Sequence, residues 1–170
     1  KAGVSGGGTE SENAMALIID NFNQLDATHP LIIRAADQKA QPWVQHVIIR
    51  NARNITLDGL FMVSDVTGNV KDNALEIDIN NSKWDMIPMA AIKDANIVVK
   101  NSTIGSSGFT GLHASGYDGI TFINNNFEAV FDGKDGNATT WGASAKFIRC
   151  KNIKFMRNNF RGDHATLVWL

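Results

Sequence analysis

One cysteine, Cys150, stands in 170 residues. A single thiol excludes an internal disulfide framework and any multi-cysteine metal site. It leaves the compartment open, because a secreted protein without disulfides has the same count. Proline is scarce, with 3 residues, and tyrosine occurs once, as Tyr117. No charge of one sign dominates: 16 Lys and Arg face 17 Asp and Glu, for a net charge of -1. Without a basic surplus nothing neutralises a phosphate backbone, which argues against general nucleic-acid binding. Apolar runs such as Ala14 to Ile19 are short. They fall far below the ~20 residues that a membrane-spanning helix needs.

What is present is ordinary for one globular domain: 44% hydrophobic and 19% charged residues. Asparagine is the exception, with 18 copies. Asn tolerates left-handed backbone and bonds its own backbone at turns. Spread through an Ile/Val/Phe-rich chain, it predicts many tight turns between short strands.

The chain divides into three stretches. Residues 1–9, with Gly6, Gly7 and Gly8, read as a flexible approach. Thr9-Glu-Ser-Glu12 is a capping-box pattern. Ala14, Leu17, Ile18, Phe22 and Leu25 follow at helical spacing, which predicts an amphipathic helix over 10–25 and a turn reaching residue 30. From Leu31 to Leu170 short β-branched runs take over, such as Leu31–Ile33, Val47–Ile49 and Ile97–Val99.

Four segments in that stretch align without gaps: Asn54–Met62, Asn96–Ile104, Gly119–Phe127 and Asn152–Phe160. Each has a turn residue, Ile, any residue, a large apolar residue, four mostly polar or turn residues, and another apolar residue. Their spacings of 42, 23 and 33 residues are irregular. Irregularity suits a β-solenoid, whose rungs tolerate loops of different length. Residues 132–142 are the expected insertion of the 33-residue interval, and Ala74 to Met89 part of the excursion in the 42-residue one. Stacked in register, Ile55, Ile97, Ile120 and Ile153 form one buried column. Leu57, Val99, Phe122 and Phe155 form a second, and Met62, Ile104, Phe127 and Phe160 a third. Ile49, Ala91, Ala114 and Phe147, six places before each repeated Ile, would form a fourth. Asn101 and Asn124 share one position, and Asn125-Asn126 matches Asn158-Asn159, so amide ladders are expected along the turns.

These repeats, with the Asn-rich turns and the leading helix, resemble the right-handed parallel β-helix of pectate lyases, polygalacturonases, alginate and chondroitin lyases and phage tailspikes. The Asn-Ile-Thr-Leu-Asp-Gly-Leu run of residues 54–60 carries the likeness best, and it extends over Leu31 to Leu170. The fold expected is therefore all-β, a right-handed parallel β-helix with an N-terminal capping helix. An antiparallel β-sandwich is the alternative, ranked lower because its hairpin turns are missing. The apolar end Leu167–Leu170 predicts a piece of a longer protein or a side-by-side homotrimer. The resemblance implies an extracellular or virion location and a polysaccharide partner.

Two functional classes follow. One is recognition of a surface polysaccharide, as in a phage tail or an adhesin. The other is a polysaccharide lyase or glycoside hydrolase acting on an acidic polysaccharide. Lyases need a base and a positive group; hydrolases need two carboxyls. His113, between Leu112 and Ala114, would face outward on a strand as a base. Asp163 and His164 are the second candidate acid-base pair. Asp132, Asp135 and Trp141 sit in the longest polar stretch, where Trp141 could stack on a sugar ring. Lys146 and Arg161 complete the expected substrate-binding set. Polygalacturonases carry paired Asp residues and Gly-His-Gly, both absent here. Asn158–Asp163 and His29–Ala36 are similar to segments of alginate and chondroitin lyases, with Asp163 where those have Lys. No cofactor is expected, calcium being the alternative kept. The run Asp132-Gly-Lys-Asp-Gly-Asn137 lacks the acidic spacing and closing Glu of a calcium loop. The absence of a complete catalytic motif places recognition ahead of cleavage.

Overall fold

The computed structural model describes residues 3–6, 16–63, 73–79, 86–106, 110–129, 143–162 and 166–170. These residues form an all-β chain. In order the strands are β1 (Gly3–Gly6), β2 (Ala16–Asp20), β3 (Leu31–Arg34), β4 (Trp43–Val44), β5 (His46–Arg50) and β6 (Ile55–Asp58). Then come β7 (Phe61–Val63), β8 (Leu75–Asp78), β9 (Ile97–Lys100), β10 (Thr103–Ser106), β11 (Leu112–Ser115) and β12 (Asp118–Ile123). The last are β13 (Asn126–Ala129), β14 (Ala143–Ile148), β15 (Lys151–Met156), β16 (Asn159–Gly162) and β17 (Thr166–Trp169).

From β2 onward the chain visits three sheets in rotation. The first has the order β1-β2-β5-β8-β11-β14-β17, the second β15-β12-β9-β6-β3, and the third β16-β13-β10-β7-β4. Apart from the antiparallel β1–β2 pair, neighbours in the sheets run parallel. Each strand thus bonds the strand one turn of the chain away. This stacked three-sheet arrangement is compatible with a parallel β-helix.

The corners explain the asparagines. Seven of the eleven non-glycine residues with positive φ are Asn: 21, 51, 54, 96, 101, 124 and 152. The turn residue that opens each repeat adopts this conformation every time: Asn54 (57°), Asn96 (49°), Gly119 (94°) and Asn152 (52°). So does the residue that follows the same strand: Gly59, Asn101, Asn124 and Arg157. A left-handed residue bends the chain sharply between strands of different sheets, and Asn and Gly bear that conformation at least cost.

The three expected core columns form in register. Ile55, Ile97, Ile120 and Ile153 are Cα partners across β6, β9, β12 and β15. Leu57, Val99, Phe122 and Phe155 align beside them. Met62, Ile104, Phe127 and Phe160 align in the third sheet. The amide ladders form too. Asn124 Nδ2 donates to Asn101 Oδ1 at 3.4 Å, and Asn125 Nδ2 to Asn158 Oδ1 at 3.0 Å.

Four expectations are corrected. Residues 16–20 of the expected helix 10–25 are strand β2, which pairs with β5; residues 10–15 lie outside the described residues. Ala-Leu-Ile-Ile-Asp is a short apolar run, and its periodicity fits a buried strand as well as a helix turn. Gly3–Gly6, within the expected flexible approach, is strand β1. The fourth core column holds Ile49, Ile77, Ala114 and Phe147; Ala91 is exposed. In this rung the insertion follows the first-sheet strand, so counting back from Ile97 lands in a loop. Leu75–Asp78 is therefore part of a rung and not of an excursion.

Candidate functional site

Strand geometry sends alternate residues of the first sheet to opposite sides. Val47, Ile49, Leu75, Ile77, Leu112, Ala114 and Ala145 are fully buried in the core. Their neighbours face outward. Register then stacks Ile48, Glu76, His113 and Lys146 in one outer column. Arg50 pairs with Asp78 in the next column, and Ser115 with Ile148 further along the sheet.

Much of this outer face is withdrawn from water. Lys146 is 6% exposed, whereas Ile32, Trp43 and Met156, on the outer faces of the other two sheets, are 47 to 49% exposed. Ser115 is buried, and Arg50, Glu76, Asp78 and His113 are half-buried. Arg50 Nε lies 3.8 Å from Asp78 Oδ1, and His46 Nε2 lies 3.9 Å from Glu76 Oε2.

Burial sets the protonation of this strip. Removal from water pushes the Glu76 carboxyl up to about 8, reinforced by its hydrogen bond to the Asp78 carboxylate and by that charge. Removal from water also pushes His113 down to about 4, helped by the Lys146 ammonium beside it. Lys146 is lowered by the same desolvation. At neutral pH the strip holds a protonated carboxyl, its O–H given to Asp78, and a neutral imidazole on the adjacent strand about 4.8 Å away. Perturbed ionisable groups gathered on one face are a candidate for binding or proton transfer.

These two groups shape the pH dependence of stability. Glu76 is raised from 4.5 to about 8, so its contribution is full below 4.5 and is lost as pH rises to about 8. His113 is lowered from 6.5 to about 4, so its contribution is full above 6.5 and is lost as pH falls toward 4. The slopes oppose between 4.5 and 6.5, and Glu76 acts alone from 6.5 to 8. Urea unfolding is expected to show a loss of about 2 kcal/mol across that upper window, at about 1.4 kcal/mol per pH unit. Glu76→Gln is expected to remove the loss. Equal stability at pH 6.5 and 8.5 in the unsubstituted chain would contradict this.

Of the sequence-derived candidates, the structure brings His113 and Lys146 side by side. Arg161 lies elsewhere, exposed on β16 of the third sheet and in register with Glu128. Asp132, Asp135, Trp141, Asp163 and His164 lie outside the described residues. In sequence they fall between β13 and β14 and between β16 and β17, where the chain passes from the third sheet back to the first. Sequence reasoning missed Glu76, Asp78, Arg50 and His46. Alternation in Leu75-Glu-Ile-Asp78 was the available signal. Among the described residues no group of three or more His, Cys, Asp or Glu is placed to hold a metal ion. No known protein family, curated protein or solved structure matches the chain.

Proposed function

We propose that this chain is a stretch of a right-handed parallel β-helix of the pectate-lyase-like kind that recognises a polysaccharide outside the cell or on a virion. The saccharide lies across the outer face of the first sheet. One observation carries the reading: His113, Lys146, Glu76, Asp78 and Arg50, drawn from four successive rungs, share one outer face. Strand spacing of about 4.8 Å repeats polar groups along the coil, as an extended repeating polymer requires. Arg50→Ala is expected to weaken polysaccharide binding by the whole chain about tenfold or more. That is the worth of one charge-assisted hydrogen bond, about 1.5 to 3 kcal/mol. Undiminished binding by the variant would move the site off this face.

A second reading, polysaccharide cleavage, is favoured by the neutral His113 imidazole beside the protonated Glu76 carboxyl. Incubation with a panel of acidic and neutral polysaccharides separates the two. Unsaturated products or new reducing ends that vanish in His113→Ala would establish cleavage. Binding without either product would establish recognition.

A further inference from the structure

The second sheet and its flanking corners carry a charge that the chain as a whole lacks. Between the end of each first-sheet strand and the start of the next third-sheet strand, the described residues hold nine Lys and Arg against five Asp. That is a net of +4 in a chain of net charge -1. The five acids are Asp26, Asp37, Asp58, Asp94 and Asp118. Asp58 is buried between Arg34 Nε at 2.9 Å and Lys100 Nζ at 3.6 Å. Asp26 is tied to Thr28 and His29, and Asp118 accepts from Asn152 Nδ2 at 2.6 Å. Asp94 follows Lys93 in sequence, and Asp37 stands two residues before Lys39. The last of these stretches, residues 149–158, holds Arg149, Lys151, Lys154 and Arg157 and no acid. All four are exposed. Lys151 is the register partner of Asp118, yet no ion pair among the described residues holds any of the four.

We infer that the outer face of the second sheet lies on an anionic lipid bilayer, with the coil axis parallel to the membrane plane. Five strands, β3, β6, β9, β12 and β15, make a surface about 19 Å across. After β6, β9, β12 and β15 the corner to the third sheet is only two residues long, so no loop stands above the face on that side. Exposed apolar side chains sit among the charges. Ile32 heads one outer column, which continues through Thr56, Val98 and Thr121 to Lys154. Met156 ends the other, which begins at Arg34. A soluble acidic chain would use the cations alone. A bilayer interface takes both kinds of group, apolar tips at the acyl boundary and Lys and Arg at the anionic headgroups. A second copy presenting the same face would be repelled by its like charge. The saccharide of the reading above lies on the first sheet, so the two ligands occupy different faces.

The test uses the whole chain and two sets of vesicles, phosphatidylcholine alone and an equal mixture with phosphatidylglycerol, with binding read by co-sedimentation. The mixed vesicles are expected to bind about tenfold tighter or more. Replacing Lys154 and Arg157 together by Gln is expected to remove about tenfold of that affinity or more, and dichroism of the variant checks that it folds. A second measurement reads which face docks. A polarity-sensitive dye is placed on Met156→Cys or on Asn126→Cys, each in a Cys150→Ser background. Met156 is exposed on the second sheet and Asn126 on the third. Mixed vesicles are expected to shift the dye at 156 toward an apolar environment and to leave the dye at 126 unchanged. Equal binding to both vesicle sets, binding to neither, or full binding by the Gln variant would overturn the inference. So would an equal response of the two dyes. Polyglutamate displacing the chain from vesicles at matched charge would assign the face to an acidic polymer and overturn the lipid reading. A dye at 156 that shifts without vesicles as the chain self-associates would assign the face to a second copy. No saccharide enters the assay, so this inference and the polysaccharide reading fail separately.

Discussion

Replacing Phe122 with alanine is expected to destabilise the chain by about 3 to 5 kcal/mol, the usual cost of emptying a buried aromatic site. Phe122 is fully buried on β12. Its ring stacks on Phe155 of the same sheet, with centroids 5.1 Å apart and planes at 16°. It meets Phe127 of the third sheet edge-on at 5.7 Å and Phe147 of the first sheet edge-on at 6.0 Å. One side chain therefore joins all three sheets, and the void left behind has no single neighbour free to fill it. Parallel stacking adds to the penalty, because each rung is held in register by the rungs beside it. Urea unfolding monitored by dichroism measures the loss. A loss under about 1 kcal/mol would mean that the rings do not meet at the coil centre.

Asn125→Ala is expected to cost about 3 kcal/mol, since it strands buried backbone groups worth about 1 to 3 kcal/mol each. Asn125 is 1% exposed. Its Oδ1 accepts from the Ser102 amide at 3.0 Å, and its Nδ2 donates to the Val99 carbonyl at 2.9 Å and to Asn158 Oδ1 at 3.0 Å. One amide thus satisfies backbone on the rung before it and continues the ladder to the rung after. Asp at this position accepts but cannot donate to Val99, so Asn125→Asp is expected to be destabilising as well. The adjacent Asn126 is exposed, and Asn126→Ala is expected to stay within about 0.5 kcal/mol. Equal effects at 125 and 126 would contradict an inward-facing ladder.

The core was legible in the sequence because parallel in-register stacking places like residues on like. Ile55, Ile97, Ile120 and Ile153 repeat at one offset because they touch one another across the rungs. The corners were legible because left-handed backbone selects Asn and Gly, as at Asn54, Asn96 and Gly119. Ala16–Asp20 was not, since a five-residue apolar run fits a strand or part of a helix and only its pairing with β5 decides. The site was half legible. Alternation around His113 sent it outward, and Lys146 joined it from the next rung. Glu76 and Asp78 were hidden because the interval between Ile55 and Ile97 holds both a rung and an insertion. Which segment was which could not be counted from spacing. Register between Glu76 and His113, 37 residues apart, depends on connection lengths that local pattern does not constrain.

The most direct test of this account is a pair of engineered cysteines at His113 and Lys146 in a Cys150→Ser background. The two positions are 33 residues apart in sequence and are partners on neighbouring parallel strands. At about 4.8 Å between strands their Cα atoms fall within disulfide range. Mild oxidation is expected to close this pair rapidly in the folded chain. It is expected to leave His113→Cys with Ile148→Cys open, because Ile148 is the partner of Ser115, two residues further along. Failure of the first pair to close, or closure of the second at the same rate, would contradict the stacked register on which both the fold and the site depend.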